Sequence, residues 1–293
     1  MVLVDIVNAY AQSFQGVEVV NTSLDQHTDE VTWVMRFNSH KLLVAQGAKR
    51  TWVDSVHPAI ALCYSNTLIA VALSDRSIWL LDFANAKDWR NFGNLKNGRN
   101  LFVGQEHFKY LVFAGNKLAA ACNDGNVYLF NAHTSVRETT LKGHNHWVCS
   151  VVALSETKIA SGSTQSIDRT TNDIIVWDLS THTAILTIQL PAWWMMNLVA
   201  LPGEKIISLT DKLRVWNKLG ECERAISIPE HLITHMVLLA DGTLATFNDR
   251  MMVWDLFTGH CIKNIRMVAV ISMCVFGQTL VIGHESGFIS HWA

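Results

Sequence analysis

The sequence predicts an all-β fold built from repeated small sheets, and three local phrases are the main reason. Each phrase has the pattern apolar-x-apolar-Trp and ends on Asp or Asn, at 174–178, 213–217 and 251–255. A fourth phrase at 288–292 ends on the tryptophan itself. The four tryptophans recur at intervals of about 40 residues, which is typical of repeat proteins whose unit is a small sheet.

Composition bounds the class of protein before any motif is considered. The chain has 293 residues, of which 49% are hydrophobic and 16% charged, and its net charge is −2. The apolar stretches are shorter than the roughly 20 residues of a membrane-spanning helix. There is no basic block of the kind that binds nucleic-acid phosphates. None of the six cysteines forms a C-x-x-C pair, which suits reduced thiols, so we expect a soluble cytoplasmic or nuclear protein.

The clearest unit begins at residue 143 and contains four candidate strands. These are 147–153, 158–163, 174–177 and 184–189, with turn residues between them. Short strands in this order form an antiparallel meander. A single sheet of this kind cannot bury both faces, but sheets arranged radially cover one another. The same order of strands recurs along the chain.

The motifs of this unit resemble those of the WD-repeat β-propeller family over residues from about 20 to 293. The residues that carry the resemblance are Gly143-His144, Ser161-Gly162-Ser163 and Trp177-Asp178, with a weaker echo at His231, Thr246, Asp249 and Trp254-Asp255. The resemblance implies a propeller of seven four-stranded blades. The number falls to six if the compressed unit at 31–56 is not a blade.

The resemblance also implies hydrogen-bonded structural tetrads of His, Ser or Thr, Asp and Trp. In the first tetrad Asp173 is our choice for the acid, with Asp168 as the alternative. The implied members are His144, Ser161, Asp173 and Trp177 in one blade and His231, Thr246, Asp249 and Trp254 in another. Elsewhere Leu81 and Phe130 replace tryptophan, so those blades are expected to depend on packing alone.

Closure of the ring is expected from the first residues of the propeller. The segment 17–20 alternates apolar residues, and the resemblance implies that such a strand joins the last blade beside the C-terminal strands. The propeller domain is therefore predicted to span 17–293. Ahead of it, 1–16 is predicted to be a helical or extended segment, because apolar residues recur there at helical spacing.

No catalytic, metal or cofactor motif was found in the sequence. The chain has thirteen histidines, but those near unit starts are distributed around the ring and are expected to make contacts between blades. His144-Asn145-His146 lacks a nearby acid or thiol at ligand spacing, so a zinc site is not expected there. We therefore expect no enzyme and no cofactor. The alternative is a propeller enzyme with converging polar residues in its central channel.

Aromatic residues next to the first strands are the candidate binding site. Trp147 and Trp194 occupy equivalent positions in two units, and large aromatics and methionine are common at interface hot spots. The resemblance implies a protein or peptide partner on the narrow face, and the residues predicted to bind it are Trp147, Trp193, Trp194, Met195 and His146. The alternative is that one tryptophan packs between blades and that the methionines begin a core strand.

The function expected from these observations is a non-catalytic scaffold or adaptor within a multiprotein complex. A substrate-recruiting subunit, for example of a ubiquitin ligase, is an alternative. Two enlarged polar connections, at 87–99 and 164–173, are further candidates for contact with a partner.

Overall fold

The computed structural model consists of β-strands joined by turns. It describes residues 18–24, 31–38, 41–46, 49–65, 68–82, 98–103, 107–164, 172–190, 195, 197–228, 233, 235–247, 250–267, 270–276, 279–284 and 289–292. Within these ranges no segment is a helix, and so none is a helix long and apolar enough to span a membrane.

The strands form seven sheets, numbered here in chain order. Sheets 1 to 3 contain β1 (Glu18–Leu24), β2 (Val31–Asn38), β3 (Lys41–Gln46), β4 (Lys49–Asp54); β5 (Ala59–Ser65), β6 (Leu68–Leu73), β7 (Ser77–Asp82), β8 (Arg99–Val103); and β9 (Phe108–Ala114), β10 (Lys117–Cys122), β11 (Asn126–Asn131), β12 (Arg137–Lys142).

The remaining four sheets follow the same order. They contain β13 (Val148–Ser155), β14 (Lys158–Ser163), β15 (Asn172–Asp178), β16 (Thr183–Leu190); β17 (Asn197–Leu201), β18 (Lys205–Leu209), β19 (Lys212–Trp216), β20 (Cys222–Ser227); β21 (His235–Leu238), β22 (Leu244–Phe247), β23 (Arg250–Trp254), β24 (Cys261–Arg266); and β25 (Val270–Phe276), β26 (Thr279–His284), β27 (Ile289–Trp292).

Each sheet is an antiparallel meander whose strands lie in chain order. Sheets 1 to 6 have four strands, and the described part of sheet 7 has three. The first strands of successive sheets contact one another from β1 to β25, and β1 also contacts β25. The prediction of seven units is confirmed, and the compressed unit at 31–56 belongs to a sheet of its own.

The predicted role of the N-terminal strand needs correction. The expectation was that 17–20 pairs with the last sheet, whereas β1 pairs with β2, with Thr22 opposite Trp33. β1 does lie beside the last sheet, since it contacts β25 and β26, but it is not hydrogen-bonded into that sheet. The unit at 31–56 lacked a recognisable fourth strand in the sequence, and β1 is the missing strand at its start.

The core lies between neighbouring sheets, and in sheets 2 to 7 most residues of the second strand are buried. All six residues of β6 are buried, as are Leu118–Cys122 of β10. A strand covered on both sides does not alternate apolar and polar residues. The third-strand tryptophans face the preceding sheet, so that Trp177 packs with residues of sheet 3 and Trp254 with residues of sheet 5.

The residue after each third-strand aromatic caps the turn into the fourth strand. The Oδ1 of Asp178 accepts hydrogen bonds from the backbone N–H groups of Ser180 and Thr181 at 2.7 and 3.1 Å. Asn131, Asn217 and Asp255 accept equivalent bonds in sheets 3, 5 and 6. The Trp-Asp phrase therefore joins a buried anchor to a side chain that closes the next turn.

Candidate interaction face

One end of the sheets carries the loops before the first strands and the turns between the second and third strands. We call it the His144 face, and it includes residues 55–58, 74–76, 123–125 and 143–147. One backbone hydrogen bond recurs there in three sheets. It connects the turn between the second and third strands to the residue directly before the first strand. The bonds run from Ser74 N to Pro58 O at 2.8 Å, from Asn123 N to His107 O at 3.1 Å and from Thr164 N to Trp147 O at 2.9 Å.

The structure brings the four residues of the first predicted tetrad together. His144 Nδ1 bonds to Asp173 Oδ1, and His144 Nε2 lies 2.6 Å from Ser161 Oγ. Trp177 Nε1 donates to the same Ser161 oxygen at 2.7 Å. Ser163 Oγ donates to Asp173 Oδ1 at 2.6 Å. The network joins the loop before β13 to β14 and β15.

The protonation of this network follows from the carboxylate. Burial opposes ionisation of Asp173, but the hydrogen bonds and charge of His144 and the hydrogen bond from Ser163 outweigh it and lower the pKa. An ionised carboxylate only accepts, so His144 Nδ1 carries a proton. The Ser161 oxygen accepts from Trp177 Nε1 and is also bonded to Nε2 of His144.

The connection Ser161–His144–Asp173 has the order of a catalytic triad but not its accessibility. Ser161 is completely buried, and its oxygen is occupied by Trp177 Nε1. A nucleophile needs a free face for its substrate. In this arrangement the network holds the loop against the sheet and leaves no room for acyl transfer.

Two further tryptophans make the same bond to a second-strand hydroxyl. Trp254 Nε1 donates to Thr246 Oγ1 at 2.9 Å, as the second predicted tetrad requires. His231 and Asp249 of that tetrad lie outside the described residues. Trp216 Nε1 donates to Ser208 Oγ at 2.8 Å, a bond that the sequence analysis missed although the serine occupies the same strand position as Ser161.

In sheets without a complete tetrad, other side chains bind the aspartate of the turn between the second and third strands. Asp75 faces His57 at 3.5 Å, Asp124 accepts from Tyr128 Oη at 2.8 Å, and Asp211 pairs with Arg214 at 2.7 Å. These contacts differ from the expectation of packing alone, because the neighbouring strands supply other donors to the same carboxylate position.

Trp147 is exposed on the His144 face. Its side chain is 58% exposed, and Lys109 Nζ of the neighbouring sheet lies 5.6 Å from its ring centroid. This distance suits a cation–π contact. Other exposed apolar side chains lie at or before the starts of β5 and β9. We call the set the Trp147 patch; its members are Val56, Ile60, Lys109, Tyr110 and Trp147.

Two cations of the His144 face form no ion pair within the part of the chain that the structure describes. Neither Lys109 nor Arg76 forms an ion pair with a described carboxylate. Arg76 Nε instead donates to His107 Nε2 at 3.0 Å, a neutral acceptor. The nearby acids Asp75 and Asp124 are engaged by donors of their own sheets. These donors are neutral, so the described part of the face carries charges of both signs.

Comparisons with known proteins establish the architecture. No family model and no curated protein matches the sequence. Among solved structures, the WD40 β-propeller domain of Doa1 superposes with a TM-score of 0.70 at 15% identity, covering 96% of this chain and 97% of that one. The fold is that of a WD40 β-propeller. The computationally designed Ika8 protein has a TM-score of 0.69 at 17% identity, covering 94% of this chain and 83% of that one.

Of the other predicted binding residues, the structure describes Met195 and His146. Met195 lies in the core against Gly162 and is not at the surface, in contrast to the prediction. His146 is half-buried in the loop before β13, and its charge contributes to the lowered pKa of the tetrad carboxylate. Trp193 and Trp194 lie outside the described residues.

The remaining polar groups of the propeller form no metal site within the described ranges. No group of three or more His, Cys, Asp or Glu side chains there is arranged to hold an ion. The two enlarged connections that the sequence singled out fall mostly outside those ranges. The Trp147 patch is thus the described feature that best fits a partner-binding surface.

Proposed function

We propose that this propeller is a non-catalytic interaction scaffold that binds a protein or peptide through the Trp147 patch. The fold supports this, because WD40 propellers commonly present their loops to partner proteins. The observation that carries the proposal is an exposed tryptophan fixed in place by its backbone bond to Thr164 and by Lys109. We further propose a place in a multiprotein complex in a reducing compartment such as the cytoplasm, supported by the free thiols of the described cysteines.

Burial of Trp147 would supply a large part of the binding free energy. A tryptophan side chain covers roughly 250 Å², and a little over half of this one is open to solvent. Covering that area contributes about 3 kcal/mol, which is the size of a typical interface hot spot. The ring is already oriented, so little conformational entropy is lost when a partner covers it.

We propose that Lys109 and Arg76 favour an acidic segment next to the apolar contact. Lys109 and Arg76 have no carboxylate partner among the described residues, so a partner's Asp or Glu would complete two ion pairs. Such rim charges mainly raise the association rate and are screened by salt. We therefore propose that the partner presents an apolar side chain flanked by acidic residues.

The proposal is tested by comparing partner capture by two exposed-aromatic variants. Trp147→Ala removes the anchor, and Phe257→Ala is the matched control, because Phe257 is 84% exposed in the turn between β23 and β24 at the opposite end of the sheet. Proteins captured by the tagged chain are quantified against both variants.

We expect Trp147→Ala to capture at least 10-fold less of a partner that Phe257→Ala still captures. Both variants should have the melting temperature of the wild type. Lys109→Glu should weaken capture more at low salt than at high salt. Equal capture by the two aromatic variants, or early melting of Trp147→Ala, would show that Trp147 is structural.

A further inference from the structure

Two of the turns between third and fourth strands carry large apolar side chains at their tips. In sheets 3 to 6 the residue two positions after the capping side chain donates its N–H to that cap, and these residues are His133, Ser180, Leu219 and Phe257. Leu219 is 66% exposed and Phe257 is 84% exposed. Because sheets 3 and 4 form the same capped turn with polar residues, neither the turn nor the core accounts for the two apolar side chains.

The two turns are neighbours along one rim of the propeller, because each rests on the fourth strand of the preceding sheet. A Cβ added at Gly220 would lie 3.0 Å from a leucine of β16, and one added at Gly259 would lie 3.5 Å from Arg224 Cδ of β20. Exposed isoleucines flank the turns, Ile185 in β16 and Ile262 in β24. We call the four exposed apolar side chains the rim cluster; its members are Ile185, Leu219, Phe257 and Ile262.

The rim cluster exposes enough apolar surface for a modest interface. Its four side chains are between 50% and 84% exposed. Together they offer roughly 350 Å² of apolar surface. Because apolar groups form about 60% of an interface, a contact centred on the cluster would cover roughly 600 Å² on each side. The total of about 1,200 Å² is the lower bound for a specific protein interface.

Charges of both signs lie beside each apolar tip. The turn of Leu219 contains Lys218 and Glu221, while the turn of Phe257 contains Asp255 and lies against Arg224. None of these four charged side chains forms an ion pair within the described ranges. A partner of one charge sign would meet a like charge at both turns. A surface whose two tips each carry an acid and a base is instead complementary to itself, when a two-fold axis exchanges the tips.

We propose that the rim cluster is a dimer contact between two copies of this chain. The two-fold axis passes between sheets 5 and 6, so that Leu219 of each copy packs beside Phe257 of the other. Arg224 lies against the turn of Phe257, and the same exchange therefore brings it to Glu221 of the second copy. The contact uses the end of the sheets opposite to the His144 face, so both copies keep their Trp147 patch open.

Sedimentation velocity of the full chain at increasing concentration measures the dissociation constant of the dimer. Phe257→Asp and Leu219→Asp each place a carboxylate in the proposed contact. Val136→Asp is the matched control, because Val136 is 58% exposed in the corresponding turn of sheet 3, away from the rim cluster. Arg224→Glu, alone and together with Glu221→Arg, tests the exchange of charges by the two-fold axis.

We expect a reversible dimer whose dissociation constant rises at least about 10-fold in Phe257→Asp and Leu219→Asp, and less than about 3-fold in Val136→Asp. Arg224→Glu alone should weaken the dimer, and adding Glu221→Arg should restore it. A monomer at every concentration up to about 0.5 mM overturns the proposal. A dimer that Val136→Asp weakens as much as Phe257→Asp does, or that the charge exchange fails to restore, overturns it as well.

Discussion

Replacement of Ser161 by alanine tests the hydrogen-bonded network of sheet 4. The Ser161 hydroxyl bonds to both His144 and Trp177, with contacts of 2.6 and 2.7 Å to the two rings. Alanine keeps the backbone of β14 and removes both bonds at a position that water does not reach.

The expected cost comes from two buried polar groups left without partners. The indole N–H of Trp177 and Nε2 of His144 each lose a bond, and an unsatisfied buried group costs about 1–3 kcal/mol. The two losses share one network and are not fully additive. We therefore expect Ser161→Ala to lower the free energy of unfolding by about 2–4 kcal/mol.

Urea unfolding of the wild type, Ser161→Ala and Ser180→Ala measures this cost. Ser180 is exposed in the turn after β15, so its replacement controls for the loss of a serine hydroxyl as such. A stability of Ser161→Ala within about 0.5 kcal/mol of this control would refute the reasoning. Addition of Trp177→Phe, which also removes the indole N–H, should cost less in the Ser161→Ala background than in the wild type.

Three further predictions concern the same part of the propeller. Because the pKa of Asp173 lies below its ordinary value of 3.8, its contribution to the free energy of unfolding is complete above pH 3.8 and is lost as pH falls below that value. Urea melts at decreasing pH should show this decline in the wild type and a flatter decline in Asp173→Asn, and parallel curves would contradict it. Gly162→Ala would place a methyl group 1.7 Å from Met195 Cε, so it should cost about 1–3 kcal/mol, and Met195→Ala should reduce that cost in the double variant; additive costs would count against the contact. Trp177→Ala should cost about 3–5 kcal/mol in thermal or urea melts, and Trp292→Ala clearly less, because Trp292 is already partly exposed; equal costs would mean that the two positions are buried alike.

The sequence was sufficient to predict the features that arise within one repeat. The Trp-Asp phrase is local and its period indicated the repeated units, whereas the resemblance to WD-repeat propellers implied the four residues of the first tetrad. A repeated phrase has the same physical role in each unit, because the aromatic packs against the preceding sheet and the acid caps the following turn. The position of Ser208 was available from the same alignment, since it matches Ser161.

Features that depend on contacts between distant segments were not predictable in this way. β1 alternates like an outer strand, and only its pairing with β2 assigns it to sheet 1. Met195 resembles a surface hot spot beside Trp193 and Trp194, yet the missing side chain of Gly162 leaves a space that Met195 fills. The local sequence around Met195 does not indicate which residue of a neighbouring strand leaves such a space.

Hydrogen exchange of the indole N–H groups, followed by NMR with and without the captured partner, tests most directly whether buried and exposed tryptophans have separate roles. The account predicts slow exchange for Trp177, Trp216 and Trp254 in both states, and fast exchange for Trp147 that slows when the partner is added. Slow exchange of Trp147 in the free protein, or an unchanged rate in the complex, would contradict its role as the binding anchor.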